Sequence, residues 1–136
     1  MSVTTMNPAG MFEPELYAQV AVAAGSRTIY VAGQVAHDEQ GGIVGPGDLA
    51  IQVERAFLNV GRALEAAGAT FDDVAKLTIY VTQWTLEQMP ELVAGFTRAR
   101  ERLAITTRPP ASLIGVDVLY HPDIRVEIEA VAVVFD

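Results

Sequence analysis

The sequence predicts an α+β fold in which one mixed sheet carries two helices on a single face. Two segments place apolar residues at helical spacing, and the short segments around them are rich in β-branched residues or alternate apolar and polar residues. The predicted order is ββαβαββ, which suits one sheet covered on one side. At 136 residues the chain fits a single domain, residues 1–136.

The first 50 residues are predicted to contain an arm, a hairpin and a loop. Residues 1–14 are rich in small and turn-forming types and predict an irregular N-terminal arm. Residues 18–24 and 27–35 are apolar and β-branched on either side of Gly25-Ser26, which indicates a hairpin. Residues 37–48 collect glycine, proline and aspartate, so they predict a loop.

The first helix is predicted to begin at Asp48, a suitable N-cap, and to stop at Gly68. Its apolar stripe consists of Leu49, Val53, Ala56, Phe57, Val60, Leu64 and Ala67. A half-buried strand follows at residues 74–82. Thr85 and Gln88 form a capping-box pattern ahead of a second helix, which continues to Leu103.

Two strands close the predicted fold, at residues 111–119 and 124–135, after the Thr106–Pro110 segment interrupts the second helix. On the last strand alternation directs one set of residues toward the helices, namely Val126, Ile128, Ala130 and Val134. The opposite set is Arg125, Glu127, Glu129, Val131, Val133 and Phe135, and Tyr30, Tyr80, Leu113 and Leu119 are expected on the same side. This helix-free face is apolar enough to predict self-association, although an ordinary wetted sheet face is the alternative.

Composition argues against several classes of function. The formal net charge of -8 opposes binding to nucleic acid, whose affinity depends on Lys and Arg. The apolar stretches are shorter than the roughly 20 residues of a membrane span. The chain lacks cysteine and an export signal, so we expect a cytoplasmic protein. We expect no metal, because His37 and His121 lie in separate loops, and no cofactor.

Five segments, in order, carry a resemblance to a known family. They are Tyr17–Gln19, Ile29–Gln34, Gln52–Gly68, Phe71–Thr82 and Val126–Ala130. In this order and spacing the chain resembles the Rid (YjgF-like) family of imine and enamine deaminases. The resemblance implies a chorismate-mutase-like fold of the bacillus type, a homotrimer, and small-molecule clefts between subunits.

The resemblance also implies a set of site residues. It places the cleft tyrosine at Tyr17, the strand glycine at Gly33 and the catalytic glutamate at Glu127. The family's substrate-binding arginine falls on Ala111, whose methyl group cannot form the two-pronged contact of a guanidinium with a carboxylate.

Each of these residues also has a plainer interpretation. Tyr17 could cap a ligand or pack at an interface, and Gly33 could admit a ligand to the backbone or form a bulge. Glu127 could position or deprotonate a water molecule, or pair across strands with Lys76 or Arg125.

Arg108 and Trp84 complete the candidate substrate-binding set. Arg108 lies three residues before Ala111 and could reach the same cleft, or it could be a solvated loop arginine. Trp84 could line the mouth of the cleft and favour a flatter ligand, or it could act as a helix staple.

The leading hypothesis is a cofactor-independent deaminase that hydrolyses a C=N bond in a substrate other than the ordinary 2-imino acids. The competing hypothesis is a non-catalytic trimer that binds a small metabolite in the same clefts. Ribonuclease activity, attributed to some members of the family, is opposed by the charge of the chain.

Overall fold

A computed structural model describes residues 2–136. Its strands are β1 (Val3–Met6), β2 (Val20–Ala23), β3 (Arg27–Gln34), β4 (Val74–Thr82), β5 (Ala111–Val116) and β6 (Val126–Val134). Its helices are α1 (Leu49–Ala66) and α2 (Met89–Leu103). The predicted ββαβαββ order is confirmed from β2 onward, and β1 precedes it. Of the helices in residues 2–136, neither combines the length and the apolar composition that a membrane crossing requires.

The strands form two sheets. The larger sheet has the order β3-β6-β4-β5, with β6 antiparallel to both neighbours and β4 parallel to β5. β1 and β2 pair with each other in a separate antiparallel sheet. The prediction of an irregular arm over residues 1–14 is therefore wrong for Val3–Met6. This strand is short and rich in threonine, so it gives too few residues for an alternating pattern to be recognised.

The predicted hairpin around Gly25-Ser26 is also wrong, since β2 pairs with β1 and β3 pairs with β6. The backbone N–H of Ser26 donates to the Val134 carbonyl at 3.0 Å. A Cβ atom at Gly25 would lie 2.4 Å from that same carbonyl oxygen. This turn therefore packs against the end of β6 rather than joining two paired strands.

The core lies between the helices and one face of the larger sheet. Val126, Ile128, Ala130 and Val134 face the helices as predicted, and the buried stripe of α1 confirms the predicted helical spacing. Asp48 caps α1, because its carboxylate accepts the Ile51 N–H at 3.0 Å. Neither of the two helices within residues 2–136 packs on the other face of the sheet.

The structure corrects three expectations about that helix-free face. β5 ends at Val116, so Leu119 lies outside the sheet. Leu113 pairs with Ile79 and points toward the helices, whereas Ile114 takes its place on the helix-free face. Arg125 is buried, with its guanidinium donating to the Thr82 carbonyl.

Candidate functional site

Glu127 and Gly33 meet on the helix-free face. Glu127 is half-buried and pairs across the sheet with Tyr80 of β4. A Cβ atom at Gly33 would lie 2.6 Å from Glu127 Cδ and 2.7 Å from its Oε1, so the glycine makes room for the carboxyl group. The β3–β6 register also shifts between Val31 and Gln34. Gly33 therefore lies at the predicted bulge and makes room for the Glu127 carboxyl group, while its predicted contact with a ligand remains a prediction.

Glu127 is free of the cross-strand ion pair that was its plainer interpretation. None of the ion pairs among residues 2–136 includes it. Lys76 Nζ donates instead to Ser112 Oγ at 2.7 Å, and Arg125 Nη2 donates to the Thr82 carbonyl at 3.0 Å. The carboxylate of Glu127 is therefore available to a ligand or a water molecule.

Tyr80 and Glu129 form a second polar pair beside Glu127. The Tyr80 hydroxyl donates to Glu129 Oε1 at 2.8 Å. This hydrogen bond, followed by desolvation and by the negative charges of Glu129 and Glu127, raises the pKa of Tyr80 above its usual value. Tyr80, expected only as part of an apolar surface, therefore keeps its proton and holds Glu129 in place.

Tyr17 and Ala111 lie together at a different location, in a pocket between α2 and β5 of about 230 Å³. The lining residues from α2 are Met89, Leu92, Val93 and Phe96, and Leu16, Ile79, Ser112 and Leu113 complete the wall. Ala111 pairs with Leu77, a core residue of β4, so its methyl group points toward the helices. Ala111 and Glu127 therefore project from opposite faces of the sheet.

Arg108 is exposed and lies beside this pocket rather than in its wall. It lines one neighbouring groove with Tyr17 and another with Phe96 and Arg100. Burial, and then the positive charge of Arg108, lower the pKa of Arg100. Glu101 lines the same groove as the two guanidinium groups, and Glu13 and Glu15 line the other, so the surface beside the pocket carries charges of both signs.

Trp84 lies apart from both groups. It is half-buried, packs against the core and lines a groove with Gln83, Gly115 and Asp117 beyond the end of β4. The lining of that groove includes neither Tyr17 nor Glu127. Its predicted role at a cleft mouth remains a prediction.

Sequence reasoning missed Gln52, which is fully buried in α1. Its Nε2 donates to the carbonyls of Gly45 and Asp123 at 2.9 and 2.6 Å, and its Oε1 accepts the Arg125 N–H at 2.8 Å. Gln52 therefore fixes the loop before α1 and the entry to β6, two residues ahead of Glu127. A polar residue on the buried stripe, three positions after Leu49, was the available signal.

The sequence is similar to one protein-family model and to several characterised proteins. The family model described as Endoribonuclease L-PSP matches residues 13–134. The 2-iminobutanoate/2-iminopropanoate deaminase of Rattus norvegicus is 32% identical over 112 residues, which cover 79% of this chain and 73% of that protein. The human protein of the same name is 28% identical over 136 residues, covering 96% of this chain and 88% of its own.

Solved structures extend the relationship to the fold. YyfB from Yersinia pestis, a protein of unknown function of the conserved Rid family, superposes with a TM-score of 0.88 and 29% identity, covering 98% of this chain and all of that one (100%). Escherichia coli TdcF with bound serine gives a TM-score of 0.67 and 28% identity, and each chain is covered to 98%. These matches confirm the predicted α+β fold.

Proposed function

Because this chain belongs to the Rid (YjgF-like) family, which the Endoribonuclease L-PSP model describes, we propose that it hydrolyses a carbon–nitrogen double bond without a cofactor. The substrate is an imine, or an enamine that tautomerises to one. Water adds to the imine carbon, a proton passes to nitrogen, and the C–N bond of the resulting carbinolamine breaks. One water is consumed, and one carbonyl compound and one molecule of ammonia or amine are released.

The observation that carries this proposal is the Glu127 carboxylate, half-buried beside Gly33 and without an ion-pair partner among residues 2–136. A carboxylate in this setting can orient a water molecule and accept its proton. A protonated imine is already electrophilic, so holding water and substrate together supplies much of the rate enhancement. The protein therefore needs few reacting groups.

Ala111 restricts the substrate. The resemblance assigns this position to an arginine that holds the substrate carboxylate, and a methyl group supplies neither charge nor hydrogen-bond donor. Ordinary 2-imino acids should therefore be poor substrates. Arg108 is the nearest replacement, but it stands at the rim of the pocket that Ala111 lines.

We further propose a homotrimer with its sites between subunits. Glu127 and Ala111 project from opposite faces of one sheet, so a single subunit cannot present both to one small ligand. The helix-free face also exposes apolar side chains, including Tyr30, which is 79% exposed. Association would bury that surface and bring Glu127 of one subunit toward Tyr17 of another. Analytical ultracentrifugation showing a stable monomer would contradict the arrangement.

The direct test uses freshly generated 2-aminoacrylate and follows pyruvate release by the wild type, Ala111→Arg and Glu127→Gln. We expect little acceleration by the wild type and a gain in Ala111→Arg, because the guanidinium would bind the carboxylate. The double variant Ala111→Arg/Glu127→Gln should release pyruvate roughly 100-fold or more slowly than Ala111→Arg alone. If Glu127→Gln has no effect in either background, Glu127 does not assist the reaction.

Ala111 also favours a second candidate function, a trimer that binds a small metabolite without chemistry. This function would be preferred if no imine is hydrolysed by the wild type or by Ala111→Arg while a metabolite raises the melting temperature. Failure to cleave RNA at any salt concentration is expected under both proposals, given the net charge of -8.

A further inference from the structure

The pocket that Ala111 lines has no charge with which to hold an acidic ligand. Among the residues that the structure describes, none of the ten that line it carries a charged side chain. Tyr17 and Ser112 are the lining residues that carry hydroxyl groups, and the Ser112 side chain alternates to the helix-free face, where its hydroxyl accepts from Lys76 Nζ at 2.7 Å. A carboxylate placed in this pocket would lose its hydration without gaining a cationic partner, which is strongly unfavourable.

The size of the pocket suits a hydrocarbon group. Its volume is about 230 Å³, and an apolar cavity of about 150 Å³ can hold a benzene ring. The walls from α2 are Leu92, Val93 and Phe96, whose side chains offer dispersion contacts and no competing polar groups. A phenyl or branched aliphatic group therefore fits, with room for one or two further carbon atoms.

We propose that this pocket binds an uncharged apolar substituent of the substrate where the family's arginine would have bound a carboxylate. The substrate class is then neutral imines or enamines that carry an aromatic or branched aliphatic group. This inference rests on the proposed function for its chemistry, but the binding preference can be measured separately. Arg108 does not alter it, because it lines neighbouring grooves that also contain glutamates, and no guanidinium of residues 2–136 lines the pocket wall.

The binding experiment compares phenylacetamide with phenylacetate, which share a benzyl group and differ in charge. Ligand-detected NMR on the wild type should show phenylacetamide binding at least 10-fold more tightly. Ala111→Arg should reverse the preference, because it adds a cation to the wall. Ala111→Leu should weaken phenylacetamide without favouring phenylacetate, because it fills part of the pocket with carbon. Circular dichroism confirms that each variant is folded, so Ala111→Leu keeps the test valid if Ala111→Arg does not fold.

Val118→Ala is the matched control, since Val118 is 77% exposed and lies outside the pocket wall. It should leave both affinities unchanged. Equal or tighter binding of phenylacetate by the wild type would overturn the inference. Absence of binding by both probes would overturn it as well.

The kinetic experiment separates this inference from the proposed function. An amine oxidase generates the neutral imine of 2-phenylethylamine, and an amino-acid oxidase generates 2-imino-3-phenylpropanoate, its carboxylated counterpart. We expect the wild type to accelerate release of phenylacetaldehyde at least 10-fold more than release of phenylpyruvate. Equal acceleration of both would refute the inference and leave imine hydrolysis standing. Acceleration of neither, together with preferential binding of phenylacetamide, would refute the hydrolase and retain the apolar pocket.

Discussion

Replacing Gly33 by alanine should move the Glu127 carboxyl group while leaving the fold intact. The added Cβ atom would lie 2.6 Å from Glu127 Cδ. Carbon atoms in ordinary contact are about 3.5 Å apart, so the carboxyl group must move by about 0.9 Å. The atoms that meet the methyl group belong to a flexible side chain, so the side chain can yield without a shift of the β6 backbone.

Gly33→Ala should change the free energy of unfolding little and lower the reaction rate strongly. The φ angle of Gly33 lies outside the left-handed region, so alanine can adopt the same backbone. A displaced rotamer of Glu127 costs about 0.5–1.5 kcal/mol, while replacing glycine stabilises by about 0.4–1 kcal/mol through the unfolded state. The free energy of unfolding should therefore change by less than about 1 kcal/mol. A 1 Å displacement of a reacting group can lower the rate by about 100-fold.

A double-mutant cycle tests whether this loss acts through Glu127. The assay measures kcat/KM for the imine that the wild type accelerates most, in Gly33→Ala, Glu127→Ala and the double variant. We expect Gly33→Ala to have no further effect once Glu127 has been removed. Gly115→Ala is the matched strand control, since its added Cβ would meet Trp84 Cβ at an ordinary 3.6 Å. Additive losses in the double variant would refute the idea that Gly33 acts by making room for the carboxylate.

Two further predictions concern the polar groups around the site. Gln52→Leu should lower the free energy of unfolding by about 2 kcal/mol in urea titrations, because it leaves the buried Arg125 N–H without its acceptor. A change below about 0.5 kcal/mol, the level expected of surface substitutions, would contradict this prediction. The pKa of Tyr80 should lie above the usual tyrosine value in the folded protein. Its hydrogen bond to Glu129 therefore stabilises the fold fully at pH values below the unfolded-state pKa. That stabilisation is lost as the pH rises through the higher folded-state pKa. Compared with the wild type, ultraviolet titration of Tyr80→Phe should lack a phase above the usual tyrosine pKa, and loss of a phase at or below that pKa would show that the hydrogen bond is not maintained in solution.

The elements that could be predicted are those with a long local pattern. The stripe of α1 and the alternation of β6 repeat often enough to define which face is buried. β1 could not be found this way, because four residues with two threonines give too few repeats. The β2–β3 hairpin was wrong for a different reason: strand pairing is non-local, and proximity along the chain did not reveal that β3 pairs with β6 about 100 residues later.

The resemblance supplied individual candidate residues but not their arrangement in the fold. Glu127 and Gly33 were expected together, and a Cβ atom at Gly33 would touch the Glu127 carboxyl group. The position of Ala111 depends on which residue of β4 lies opposite it, and that register cannot be obtained from alternation within β5 alone. Gln52 was missed because helical spacing reports where the buried stripe lies, not which polar residue on it has buried partners.

The opposite orientations of Ala111 and Glu127 have a consequence for how specificity can change. Ala111 packs toward the helices beside residues of α2, while Glu127 lies on the other face beside Gly33 and Tyr80. If the pocket binds the substituent as proposed, substitutions in it alter what that substituent contacts without touching the groups around the carboxylate. Under the proposed function, a chain of this fold can exchange a carboxylate-binding arginine for an apolar wall and keep the glutamate that would position the water. Recognition and chemistry then vary independently because the sheet separates them within each subunit.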